Sequence, residues 1–205
     1  MMSPVVVMYI TQGLHGLAYG MLLFLVASGL TLVFGMMGIL NLAHASLFML
    51  SAYFCYTVLL VTGNFWMALI IAPIVTALLG ILVERFLLRR VHLQGHIGEL
   101  LLTMGIMLVI LETVKSFWGR EVLVISIPPS LSGLVYFGAI RFPLYRLFII
   151  LLSLVVLGIM ILVLFKTRLG KVVQATVSNA SMVSALGINT PLVFMLVFGF
   201  GTWLA

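Results

Sequence analysis

Charge is what this sequence has least of: between Met1 and Glu84 there is no Asp, Glu, Lys or Arg, and none again from Val172 to Ala205. Charged residues are 7% of the 205 and hydrophobic ones 64%, with a mean hydropathy of +1.38. That composition leaves too little polar surface for a water-soluble domain of this length. Each uncharged stretch is long enough for at least one bilayer-spanning helix of about 20 residues. Cysteine is nearly absent too. The single Cys55 excludes an internal disulfide and reads as a small packing residue, and no Cys/His cluster has metal-ligand spacing. The opening MMSPVVVMYI lacks the basic segment of a removable signal peptide, so it is read as part of the first helix.

Catalytic constellations are missing as well. No carboxylate pair, Ser/His/Asp set or reactive cysteine setting emerges, so no catalytic residue and no metal ligand is assigned. A phosphate-binding loop needs Gly-x-x-x-x-Gly-Lys-Ser/Thr, but around Gly170-Lys171 Phe165 takes the first glycine position and Val172 the hydroxyl position. The chain is expected to bind no cofactor itself, and if ATP drives it, a separate subunit must bind the nucleotide. The formal charge of +6 is scattered over helix ends rather than gathered on one face, so nucleic acid is not an expected partner. Lys and Arg at helix ends instead anchor spans in the headgroup layer of a lipid bilayer.

What is present is a series of aliphatic runs separated by breakers. GMMG followed by Asn41, and Thr62-Gly63-Asn64, divide the first uncharged stretch into helices expected over roughly 5–34, 42–61 and 65–88, with Pro73 inside the third. The second segment either spans or is re-entrant. A fourth helix is expected over roughly 97–118 and a fifth over 145–165; between them Pro128-Pro129, Gly133 and Gly138 predict an ordered loop with short extended pieces. Residues 167–190 are too polar for a bilayer core yet patterned like a short surface helix, and apolar character resumes after Pro191 with too few residues left to span. The expectation is an all-α polytopic transmembrane helix bundle of about five full spans plus the start of a sixth, one domain over 1–205 that is C-terminally incomplete.

The clusters Arg85/Arg89/Arg90 and Lys166/Arg168/Lys171 mark the cytoplasmic side, against Lys115, Arg120, Arg141 and Arg146 outside. Asn41 and His44 stand three apart beside a glycine-rich break, and two readings remain open: a helix cap with a packed histidine, or a polar lining of a substrate pathway. Gly16 and Gly20 form a GxxxG pair, extended by Gly13, which allows close helix packing. His15, His92 and His96 read as satisfied or solvated histidines, and Glu112 with Lys115 as an anchored surface pair near Trp118 rather than an ion relay.

Two stretches, GLTLVFGMMGILNLAHASLFMLSAY and TRLGKVVQATVSNASMVSALGINTPLVFMLVFGFGTWLA, resemble the branched-chain amino acid permease family of ABC importers. ERFLLRRV, LLTMGI and YRLFIILLSL lie between them in that family's order and spacing. The resemblance implies a second related permease subunit, cytoplasmic ATPase subunits that bind ATP and Mg²⁺, a periplasmic substrate-binding protein, and a multi-pass place in the bacterial inner membrane. It carries an ATPase-coupling segment over about 168–187, with Arg168, Gly170, Ala175, Asn179, Gly187 and Ile188 at matching positions. Gln174 stands where the family usually has Arg, and Ser181 where it usually has an acidic residue, so the docking face is less charged.

The function so implied is translocation of branched-chain amino acids, powered by ATP hydrolysis in partner subunits; this chain is not an enzyme. The alternatives are a urea or short-amide importer permease, an ion-coupled transporter, and a truncated remnant that transports nothing. Charge-free first spans weigh against the ion-coupled reading, which needs charged or carbonyl-rich sites at membrane depth.

Overall fold

A computed structural model describes residues 3–38, 40–92, 95–138 and 140–205. Its helices, in chain order, are α1 Pro4–Met37, α2 His44–Thr62, α3 Phe65–Val83, α4 His96–Trp118, α5 Leu144–Lys166, α6 Arg168–Ser178, α7 Ala180–Ala185 and α8 Thr190–Leu204. Among the described residues, five helices are long and apolar enough to cross a membrane: α1, α2, α3 with its extension to Val91, α4 and α5. The expected boundaries fall within a few residues of these. α8 is apolar but shorter, at 15 residues.

The breaks arise where glycine and asparagine were expected to place them. α2 ends on Gly63, whose φ of +63° only glycine adopts without a steric penalty, and whose N–H donates to the Leu59 carbonyl. The next residue starts α3: the Asn64 side-chain oxygen accepts from the N–H groups of Trp66 and Met67. α2 and α3 therefore fold back on each other through a minimal turn. α3 then runs through Pro73 and, beyond Val83, widens into a π-type turn over Glu84–Leu88 before a last α-helical turn at Arg89–Val91. The described residues of the 119–143 region form a 3₁₀ turn, Pro129–Leu131, and an antiparallel hairpin, β1 Leu134–Phe137 with β2 Ile140–Pro143, in which Tyr136 faces Arg141 and Val135 faces Phe142. These are the short extended pieces that its prolines and glycines predict.

The chain divides into two compact units, one of Met1–Leu25 with Val124–Leu162, the other of Val26–Leu123 with Val163–Ala205. In the first, Ala18, Phe142 and Ile150 form a small buried cluster flanked by Leu14 and Leu147, and the His15 ring stacks on Phe142 at 5.2 Å. In the second, Val33, Met36, Met37, Leu88, Val193, Val197 and Phe198 form the core. Large apolar side chains are widely exposed outside both cores, as a lipid-facing surface requires.

Within the second unit, small residues set the helix spacing. A Cβ on Gly80 of α3 would fall on the side chain of Thr202 in α8, and one on Gly199 would meet Ile81. A Cβ on Gly29 of α1 would lie 2.5 Å from the Gly201 carbonyl oxygen. Backbones approach this closely only where no side chain intervenes, which is how membrane helices gain packing without a hydrophobic driving force between them.

Candidate functional site

Asn41 and His44 lie where α1, α2 and α8 converge. Asn41 precedes the helix rather than occupying the cap position, which Ala43 takes; its side-chain oxygen accepts from the Ala43 N–H at 3.0 Å, and its carbonyl accepts from the His44 N–H. His44 Nε2 lies 3.1 Å from the Val26 carbonyl oxygen. A carbonyl only accepts, so Nε2 carries the proton and donates. The same imidazole edge packs on Gly29, where a Cβ would stand 3.1 Å from His44 Cε1. Both residues are almost wholly buried, yet Asn41 Nδ2 and His44 Nδ1 have no partner among the described residues. The geometry thus contains both features weighed from the sequence: a locally bonded helix start and leftover polar capacity.

The proposed coupling segment folds as two short helices, α6 and α7. Thr167 opens α6, its hydroxyl oxygen accepting from the Gly170 N–H at 3.1 Å. Gly170 sits directly on the end of α5: a Cβ there would collide with the carbonyls of Val163 and Leu164. Gln174 adds a second tie, its Nε2 donating to the Leu164 carbonyl at 2.7 Å. Gln174 therefore fastens α6 to α5. Asn179 caps α7, its side-chain oxygen accepting from the Met182 N–H and from the Ser181 hydroxyl. Gly170, Thr176 and Val183 face inward, whereas Arg168, Lys171, Ala175, Asn179, Met182, Leu186 and Gly187 are exposed. Gly187 turns the chain with φ of +84° toward α8, whose first turn Asn189 caps by accepting from the Leu192 N–H. α6 is strongly amphipathic, unlike the long spans, because polar and apolar residues alternate at helical spacing along it.

Gly16 and Gly20 are exposed, and within their own unit nothing lies within 4 Å of a Cβ placed on either. Glu112 and Lys115 pair at 2.7 Å on an exposed face, and Trp118 Nε1 donates to the Thr57 hydroxyl at 2.9 Å, tying α4 to α2.

One cluster was not singled out from the sequence. Glu99, 1% exposed at the start of α4, bonds His92 Nδ1 at 2.5 Å and lies 3.7 Å from His96 Nδ1. Glu84, 3% exposed, sits in the π-type turn beside it. The available signal was that Glu84 and Glu99 lie inside or beside apolar runs, where a carboxylate is expensive unless it has a function or a partner. Among the described residues, no group of three or more His, Cys, Asp or Glu is arranged to hold a metal ion.

Five spanning helices, a lipid-compatible surface and a short amphipathic helix between apolar ones define a multi-pass membrane protein. The chain belongs to a transport family, described as "Branched-chain amino acid transport system / permease component", whose model matches residues 13–205. The high-affinity branched-chain amino acid transport system permease protein BraD of Pseudomonas aeruginosa is 26% identical over 98% of this chain and 70% of its own length. The LivH permease proteins of the same-named system in Salmonella typhimurium and Escherichia coli are each 26% identical over 100% of this chain and 70% of theirs. No solved structure matches significantly.

Proposed function

We propose that this chain is one permease subunit of an ABC importer in the bacterial inner membrane, moving leucine, isoleucine or valine inward. Cytoplasmic ATPase subunits bind ATP and Mg²⁺, a second related permease completes the pathway, and a periplasmic binding protein delivers the amino acid. The observation that carries this reading is the exposed amphipathic pair α6–α7, fastened to α5 through Gly170 and Gln174 in a chain matched by the permease family over residues 13–205. A helix so fixed can pass a displacement of a docked ATPase into the spans, because packed helices have discrete arrangements rather than continuous ones. Exposed Met182 and Leu186 offer apolar contact area, and Arg168 and Lys171 add charge beside it. Asn41 and His44 are assigned to the pathway on their leftover polar atoms at the convergence of three helices.

The test is co-purification with the partner ATPase followed by leucine-stimulated ATP hydrolysis and uptake in proteoliposomes containing the binding protein. Stimulation by leucine is expected; failure to hold any ATPase, or uptake of urea in place of leucine, overturns the assignment.

A further inference from the structure

A cavity of about 280 Å³ opens in the second unit between the π-type turn that follows α3 and the first turn of α8. Glu84, Arg89, His92 and Thr190 provide its polar wall, and Met37 and Phe194 its apolar one. The volume is near the lower end of the roughly 300–1,000 Å³ typical of small-molecule sites, which suits a single amino acid better than a peptide.

Three independent features of this cavity point to a ligand. First, Glu84 is buried, its Oε2 has no hydrogen-bond partner, and among the described residues no cation lies within 4 Å of its carboxylate, although Arg89 lines the same space. A buried carboxylate left without a donor is unfavourable, and an incoming ammonium supplies one. Second, the helix widens at this point: the Arg89 N–H donates to the Glu84 carbonyl, the i to i+5 bond of a π turn. Such turns interrupt helices mostly at functional positions, and here the turn brings Glu84 and Arg89 to one cavity without pairing them. Third, the N-terminus of α8 borders the cavity at Thr190 and Pro191, and the partial positive charge of a helix N-terminus favours a carboxylate on the Arg89 side. His92 is held as a wall by Glu99 and by its ring contact with Phe194 at 5.8 Å.

We infer that this cavity binds an α-amino acid as its zwitterion, the ammonium against Glu84, the carboxylate against Arg89 and the start of α8, and an aliphatic side chain against Met37 and Phe194. The inference rests on the transport reading and places one substrate contact point at the end of the second unit that carries Arg85, Arg89 and Arg90. Opposite charges across an apolar floor reject a neutral amide or urea, which satisfies neither, and so discriminate within the family's possible cargoes.

The experiment uses the importer complex in nanodiscs with its ATPase subunits and without the binding protein, and measures binding of tritiated leucine by scintillation proximity. Saturable binding to the wild type is expected, weakened about tenfold or more by Glu84→Gln and by Arg89→Gln, since each removes a charge-assisted hydrogen bond. Isocaproate, which lacks the amine, and isoamylamine, which lacks the carboxylate, should each compete at least about tenfold less well than leucine. Arg89 is exposed, so its variant tests the site even if Glu84→Gln fails to assemble. Wild-type affinity in the Arg89 variant, equal competition by either half-analogue, or no binding by a wild-type complex that still takes up leucine overturns the site alone. Absence of leucine uptake by the complete wild-type system overturns the transport reading and this assignment with it.

Discussion

Replacing Gly80 by alanine adds one methyl group at the closest approach of α3 and α8. That methyl carbon would collide with the Thr202 hydroxyl and lie 2.8 Å from its Cγ2 and 2.9 Å from its Cβ. The Thr202 side chain cannot easily give way, because it is fully buried and its hydroxyl lies 3.1 Å and 3.0 Å from the carbonyl oxygens of Phe198 and Gly199. Overpacking costs about 1–3 kcal/mol, and because Thr202 is pinned this site falls in the upper part of that range, about 2–3 kcal/mol. Exchanging glycine for alanine inside a helix returns up to about 1 kcal/mol. The net loss is then about 1–2 kcal/mol, and at about 2–4 °C per kcal/mol for a chain of this size, Tm falls by about 2–8 °C. Thermal unfolding in detergent can be followed with a thiol-reactive fluorophore, because half-buried Cys55 is the single cysteine. Thr202→Ala in the Gly80→Ala background removes two of the three obstructing atoms and should recover at least half of the loss, whereas Gly16→Ala, open within its own unit, should leave Tm unchanged or slightly raised. A Gly80→Ala chain that melts at or above the wild type refutes the claim that these helices are in glycine-limited contact.

Gly170→Ala should push α6 off the end of α5 and lower leucine-stimulated ATP hydrolysis several-fold at unchanged membrane abundance; unchanged stimulation would remove Gly170 from the coupling role. Gln174→Leu removes the donor to the Leu164 carbonyl and should weaken the same stimulation more mildly, in line with one lost hydrogen bond of about 1 kcal/mol. Trp118→Phe deletes the donor to the Thr57 hydroxyl and should lower stability by about 0.5–1.5 kcal/mol, read as a small drop in Tm; no drop would mean that the bond adds nothing over lipid contact. His44→Ala, with uptake measured separately from abundance, should reduce uptake if the pathway assignment is right, while normal uptake at normal abundance eliminates it.

The number, order and approximate ends of the spans were legible because their causes are local. Long uncharged runs have nowhere to go but a bilayer, and Gly63-Asn64 ends one helix and begins the next with its own backbone and side chain. That residues 167–190 are too polar for the bilayer core and helical was legible for the same reason, although the one short helix expected there folds as two, divided at Asn179. Asn41 and His44 stood out by residue type, but their roles did not, since the partner of His44 is the Val26 carbonyl, eighteen residues away on another helix.

What the sequence by itself determined is therefore the all-α membrane class, the breaks and the family resemblance, all carried by composition, spacing and motif. Only the tertiary structure decided which glycines sit at close approaches within a unit: Gly29, Gly80, Gly170, Gly199 and Gly201 do, while the conspicuous Gly16/Gly20 pair is open within its own. It also decided that Glu84 and Arg89 share a cavity without pairing, because a π-type turn and the start of a helix a hundred residues later must meet to form it. Contacts between distant segments are set by how helices cross, and helical periodicity along a single strand of sequence carries no record of the crossing.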